Sequence, residues 1–176
     1  MHHDFDEFYL RKPEPTDVDA LFAWKNDPAV SSLLVGFTTG YTRADLVKWV
    51  DFHRSASDEA FFMIVRKADE RAIGHVALYQ INHRTGIGDF AILIGERTAW
   101  GKGIGRTCTR FMCEYGFKHL NLRRITLGVL ATNERAHKLY RSLGFVEEGR
   151  LRQAQFKNGE FVDVILMGLF REELAA

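Results

Sequence analysis

The sequence predicts a mixed α/β fold, built on a sheet that is neither doubly wound nor closed into a barrel. Three observations carry this. The elements run strand, two helices, three strands, helix, strand, helix, hairpin, without the regular alternation of a doubly wound fold. Two hairpin signals, "ADER" at 68–71 and Asn158-Gly159, join strands that must then pair antiparallel. The apolar spacing switches repeatedly between the strand and the helix period.

"FYLRKP" reads as a short strand stopped by proline. "TDVDALFAWKNDP" reads as a helix with Thr16 as cap, Asp19 at the box position, and Val18, Leu21 and Phe22 on one face. "TRADLVKWVDFHRSA" repeats the pattern, with Thr42 as cap, Asp45 three residues on, and Leu46, Val50 and either Phe52 or His53 turned inward. Strands follow at "FFMIVRK", "AIGHVALYQI" and "GDFAILIG". A helix is expected from Gly103 to about His119, with Ile104, Cys108, Phe111, Met112 and Tyr115 at helical spacing. "RRITLGVL" is a β-branched strand. "NERAHKLYRSLGF" is a short helix with Ala136, Leu139, Tyr140 and Leu143 on its apolar face, ended by Gly144 in a left-handed cap. The last strands flank Asn158-Gly159.

The 176 residues suit one domain spanning 1–176. At 46% apolar, 27% charged and net charge +1, the composition is that of an ordinary globular protein and gives no sign of a nucleic-acid or membrane surface. Cys108 and Cys113 fall five apart on one helix, facing different sides, and are expected to stay unbridged; two such thiols suit a cytoplasmic setting. The acidic start "MHHDFDEFYL" does not resemble a signal peptide. The histidines form no HExxH or paired Cys/His spacing, so no metal is expected.

"WGKGIGR" places three glycines directly before a helix start. Bare backbone there lets a ligand approach the unpartnered N–H groups of the first turn, where the helix dipole favours phosphate. The loop lacks the Walker A spacing. It misses the dinucleotide spacing too, since Arg106 stands where the third glycine belongs and no acid follows in "RRITLGVLATN". A tight turn with no ligand is the plainer alternative.

"NERAHKLYRSLGF" comes about 30 residues later. The two segments together resemble the GNAT family of acetyl-CoA-dependent N-acyltransferases. "WGKGIG" is similar to its [Q/R]-x-x-G-x-[G/A] pyrophosphate loop, and "NERAHKLYRSLGF" to N-x-x-A-x-x-x-Y-x-x-x-G-F. Trp100 replaces the usual Gln or Arg, as in the subgroup of ribosomal-protein alanine acetyltransferases and several amino-sugar acetyltransferases. The resemblance covers nearly the whole chain and implies a mostly antiparallel central sheet flanked by about four helices. It implies direct acetyl transfer from acetyl-CoA, as co-substrate, to a primary amine.

The roles of individual residues are likewise implied by resemblance. Backbone N–H groups of Gly101, Lys102, Gly103, Ile104, Gly105 and Arg106 would clasp the pyrophosphate, with Trp100 at the head of this cofactor-binding loop and charge from Lys102 and Arg106; solvated surface charge is the plainer alternative for those two. Ile92 and Ile94 would offer backbone to the pantetheine arm, and a nearby N–H would meet the oxyanion. Asn133 would bond that arm, and equally reads as a helix N-cap. Tyr140 would be the general acid for the CoA thiolate, against a plain core tyrosine. Asp89, sharing a face with Ala91 and Leu93, ranks first as base, with Glu96 and His83 as rivals. Trp24, Asn26, Asp27, His83 and Arg84 lie in segments that line the acceptor cleft in this family.

The expected acceptor is an amino-sugar nucleotide, with spermidine or a protein N-terminal amine as alternatives. A homodimer is common in the family. The competing class is a non-catalytic acyl-CoA-binding regulatory domain, against which Tyr140 argues.

Overall fold

The computed structural model describes residues 3–36 and 40–175. Eight strands form one sheet: β1 (His3–Asp4), β2 (Phe8–Arg11), β3 (Ala60–Arg66), β4 (Arg71–Asn82), β5 (Ile87–Ile94), β6 (Arg124–Leu130), β7 (Val146–Lys157) and β8 (Glu160–Phe170). Their spatial order is β1-β2-β3-β4-β5-β6-β8-β7. Every neighbouring pair is antiparallel except β5 and β6, which run parallel. The helices are α1 (Val18–Lys25), α2 (Pro28–Ser31), α3 (Arg43–Ser55), α4 (Ile104–His119) and α5 (Glu134–Ser142).

Two apolar layers sandwich the sheet. On one side α4 packs Cys108, Met112, Cys113 and Phe117 against Phe62, Val76, Leu78, Phe90 and Ile125. On the other, α1 and α3 pack Leu21, Trp24, Leu46 and Val50 against Phe61, Met63, Ala77 and Leu93. Odd and even residues of β5 therefore serve opposite layers, as the strand period requires.

Local rules explain most boundaries. Thr42 and Asp45 close the capping box of α3, whose backbone bond from Asp45 to the Thr42 hydroxyl measures 3.1 Å. His53 turns inward and Phe52 stays 61% exposed, which resolves the alternative at that turn. Asn158 and Gly159 both adopt positive φ, 50° and 87°, as a type I′ hairpin needs.

Four expectations need correction. Thr16 does not cap α1; a tight turn at Pro15–Asp17 precedes the helix, and Glu14 and Asp17 bracket it, with the Glu14 N–H on Asp17 Oδ2 at 2.8 Å. Proline at the first position makes that earlier start favourable. Cys108 and Cys113 remain unbridged, yet both bury in the same core, because the inward stripe of α4 is wide enough to hold both. Phe111 and Tyr115 lie at its margin, against His3 and Phe5. The strand β1 and the single turn α2 add to the expected elements; two and four residues are too short to show a period.

Candidate active site

The parallel pair β5–β6 holds together for only three register positions, Ile87↔Arg124, Gly88↔Ile125 and Asp89↔Thr126. Beyond them β5 continues beside β4 to Ile94, and β6 continues beside β8 to Leu130. The facing edges of residues 90–94 and 127–130 have no strand between them. The result is a fork in the sheet with its vertex at Asp89 and Thr126, open towards the glycine loop.

The Leu93 carbonyl faces β4, so close to Gly74 that a Cβ there would lie 2.3 Å from it. Alternation along the strand then turns the carbonyls of Ile92 and Ile94 into the fork. The Trp100 indole donates to the Ile94 carbonyl at 2.8 Å. Trp100 thus ties the end of β5 to the glycine loop through its side chain, a link that the spacing of the motif did not reveal.

Gly101 and Gly103 have φ of 84° and 81°, a region costly for residues with a Cβ, and Gly103 is the residue that leads into α4. A Cβ at either would touch nothing within 4 Å. Conformation, and not crowding, is what demands glycine here, and the space above is open to a ligand. The first bond of α4 runs from the Thr107 N–H to the Gly103 carbonyl at 3.1 Å. The N–H groups of Ile104, Gly105 and Arg106 have no carbonyl within the helix to reach. These donors and the dipole behind them fit a pyrophosphate. Arg106 reaches across to the Ser142 hydroxyl at 2.6 Å, joining α4 to α5. Lys102 is exposed and borders a 490 Å³ hollow whose other lining includes Asp4, Asp6 and Glu7. That hollow also takes in Ile104 and Thr107 at the start of α4, so its acidic wall flanks the turn on one side.

Tyr140 is placed by the end of its own helix. The Phe145 N–H bonds the Tyr140 carbonyl and the Gly144 N–H bonds the Arg141 carbonyl, both at 3.1 Å, which is the Schellman pattern. Gly144 has φ 102°, and a Cβ there would lie 2.0 Å from the Glu173 carbonyl oxygen. Phe145, just past the cap, packs its ring 5.7 Å from that of Tyr140. The Tyr140 ring also meets Phe90 edge-on at 6.1 Å. It is buried, yet its hydroxyl makes no hydrogen bond among the described residues. Burial, and secondarily the Cys113 thiol, push its pKa well above the ordinary phenol value. Cys113 is itself pushed up to about 12 by burial. The phenol is therefore neutral and proton-bearing throughout the physiological range.

Asp89 lies on the opposite face of β5, towards α1 and α3, with Ala91 and Leu93. The Thr126 hydroxyl donates to its carboxylate across the vertex. The rivals lie elsewhere. Glu96 accepts from the Thr98 hydroxyl beside the glycine loop, at 2.9 Å. His83 and Arg84 sit in the exposed turn between β4 and β5, at the closed end of the fork.

Asn133 caps α5, its Oδ1 accepting from the Ala136 N–H at 3.2 Å. Its Nδ2 donates to the Leu33 carbonyl at 3.1 Å, so the amide also fastens the segment after α2. Lys157 and Gln155 fasten the same segment at Gly36. Asn26 and Asp27 are both engaged in holding backbone. Asn26 bridges the Phe22 carbonyl to the Tyr41 backbone, and Asp27 caps α2 through the Ala29 N–H. Trp24 is buried against Gly95, where a Cβ would meet the indole at 2.1 Å.

A forked parallel pair, a turn of free helix N–H groups at its mouth and a buried phenol beside it lie together in this part of the fold. Residues 7–146 match the model of the acetyltransferase (GNAT) domain. The chain belongs to the GNAT acetyltransferase family. It is an acetyl-CoA-dependent N-acetyltransferase on that ground. A Bacillus licheniformis N-acetyltransferase, p20, is 32% identical over 94% of both chains. The spermidine N(1)-acetyltransferase of Escherichia coli K12 is 33% identical over 71% of this chain and 67% of its own. Among solved structures, the spermidine N-acetyltransferase of Vibrio cholerae in complex with CoA and spermine superposes with a TM-score of 0.86. It is 30% identical and covers 95% of this chain and 97% of its own. No helix among the described residues of this GNAT chain is long and apolar enough to cross a membrane.

Proposed function

We propose that this acetyltransferase moves the acetyl group directly onto the primary amine of a small molecule, with the fork between β5 and β6 as the reaction site. The observation that carries the reading is the placement of Asp89 and Tyr140 on opposite faces of β5 near the vertex. The acyl donor supplies the activated thioester. The turn at Gly101–Arg106 binds its pyrophosphate, and the inward carbonyls of Ile92 and Ile94 and the side chain of Asn133 hold its arm. The amine approaches from the α1–α3 face, where Asp89, held by Thr126, takes its proton directly or through water. The thiolate leaves on the α4–α5 face, where Tyr140 supplies a proton. A buried phenol is a weaker acid, but the same burial disfavours the thiolate, so the two pKa values, about 10 and 8.5 in water, rise together.

An amino-sugar nucleotide is the acceptor class we favour. A polycation needs several carboxylates, and the less exposed ones near α1 and α3 are engaged: Asp17 by Arg11 at 2.7 Å, Glu59 by His53 at 2.7 Å, Asp27 by its own cap. The names of the relatives favour a second reading, spermidine acetylation. Thiol release from acetyl-CoA, measured against amino-sugar nucleotides, spermidine and peptide N-termini, tests both. Release with none of these amines, by a protein that binds acetyl-CoA, would return the case to a non-catalytic binding domain.

A further inference from the structure

One charged pair on the α1–α3 face is not used by the chemistry above. Thr126, whose hydroxyl holds Asp89, registers opposite Gly168 of β8. Registered partners point to the same side of a sheet. A Cβ at Gly168 would therefore share the face of Asp89 and Thr126, and it would lie 2.5 Å from Glu148 Oε1. The Glu148 carboxylate occupies that place instead. Arg124, two residues before Thr126 and so on the same side of β6, pairs with Glu148 through Nη2 and Oε2. Its guanidinium lies 5.5 Å from the centre of the Phe170 ring.

Two local features bring the carboxylate there. Glu147 registers with Met167 and Gly149 with Leu166, so Glu148 is the extra residue of a bulge in β7, which re-aims its side chain. Gly168 does not have positive φ, so the backbone does not require glycine there; the seated carboxylate does. The pair is open to solvent, with the Arg124 and Glu148 side chains 28% and 33% exposed. Asp89 and Thr126 are half-buried, and Gly128, next on this side of β6, is exposed.

Glu148 Oε1 accepts no hydrogen bond from the described residues, and Arg124 Nη1 donates none to them. An acceptor and a donor thus stand side by side, unengaged. A hydroxyl matches them, since it both donates and accepts. An ammonium would meet the Arg124 charge and a phosphate the Glu148 charge, so the pair favours a neutral polar group over either. Neighbouring strands lie about 4.8 Å apart, which places Gly168 about 10 Å from Asp89 across β6. A sugar ring with its amine at Asp89 carries its hydroxyls into that interval.

We propose that Arg124 and Glu148 read a hydroxyl of the acceptor, so that the amine placed at Asp89 belongs to a polyhydroxylated molecule of the amino-sugar class. This rests on the acetyl-transfer reading of the fork. It makes Arg124 and Glu148 specificity-determining residues, with Gly168 as the seat of the carboxylate.

The test uses the full chain and thiol release from acetyl-CoA with glucosamine and its monodeoxy forms, which keep the amine. The wild type is expected to lose about tenfold or more in kcat/KM with at least one monodeoxy form. Glu148→Gln should remove that preference through KM, and its effect on the sensitive monodeoxy form should stay within about threefold. Gly168→Ala keeps both charges but displaces the carboxylate from its seat, and should remove the preference likewise. Neither variant should move the KM for acetyl-CoA beyond about twofold. NMR titration of glucosamine into the CoA-loaded chain gives a readout independent of turnover, and binding should weaken in both variants. A preference that survives either variant, as a merely structural pair would allow, overturns the proposal while acetyl transfer stands. So does a wild type that takes all the monodeoxy forms as well as glucosamine, or that acetylates spermidine and neither binds nor acetylates glucosamine. Hydroxyl-dependent binding that is lost in Glu148→Gln, with no thiol released by any amine, would overturn the acetyl-transfer reading and keep the subsite.

Discussion

The ring of Tyr140 stands edge-on to that of Phe90, with centroids 6.1 Å apart at 80°. Phe90 comes directly after Asp89, and adjacent strand residues point to opposite faces. One contact between α5 and β5 therefore separates the Tyr140 phenol from the Asp89 carboxylate, the proposed acid and base, by the thickness of a strand. Direct transfer from thioester to amine benefits from that separation, because each proton has its own exit.

Tyr140→Phe keeps the packing with Phe90 and Phe145 and removes a hydroxyl that bonds nothing among the described residues. It should lower kcat by about 10²-fold, leave the KM for acetyl-CoA within about twofold, and leave the melting temperature unchanged. Full activity in this variant, measured by thiol release, would remove Tyr140 from the chemistry.

Asp89→Asn should lower kcat/KM by about 10²-fold at neutral pH. The deficit should shrink as pH rises towards the pKa of the acceptor amine, since a free amine needs no base. Thr126→Val, which only frees the carboxylate, should cost less. A parallel loss at every pH would mean that Asp89 serves structure alone.

The glycines of the loop should separate by conformation. Gly103→Ala forces a Cβ into φ 81° and should cost about 1–2 kcal/mol and raise the KM for acetyl-CoA. Gly105 lies within α4, and a Cβ there would meet only Leu139 at 3.8 Å. Gly105→Ala should be neutral or stabilising by up to about 1 kcal/mol. Denaturant titration of both variants checks the contrast.

Lys25→Met should stabilise the protein at pH 7 by about 2 kcal/mol, because a lone desolvated ammonium is replaced by an apolar chain. The folded-state pKa lies below the unfolded one, at about 8 against 10.5, so the unfolded chain binds more protons between them. Wild-type stability gains from this group as pH rises through that window. The advantage of Lys25→Met should therefore fade from pH 8 upward. An advantage independent of pH would place its cause in packing instead.

Elements whose rules act over a few residues were legible in the sequence. The Thr42–Asp45 box, the Asn158-Gly159 hairpin and the Gly144 cap each depend on neighbours in the chain. That last cap also carries Tyr140, so the orientation of the phenol was encoded within six residues, 140–145. Thr16 resembles a cap but is not one, because proline and two acids shift the start by one turn. Asn133 was legible as a cap, but its second bond, to Leu33, spans 100 residues and left no mark in the spacing.

By itself, the sequence determined the fold class, the glycine turn before α4 and the helix that presents Tyr140, because glycine φ angles, capping and apolar periodicity are short-range constraints. Only the tertiary structure decided the fork, the opposite faces of Asp89 and Tyr140, and the desolvated setting of Lys25 over Trp49 and Tyr41. Each of these depends on strand register and desolvation between segments dozens of residues apart. Burial and pairing are properties of the packed chain and are not written at any one position in it.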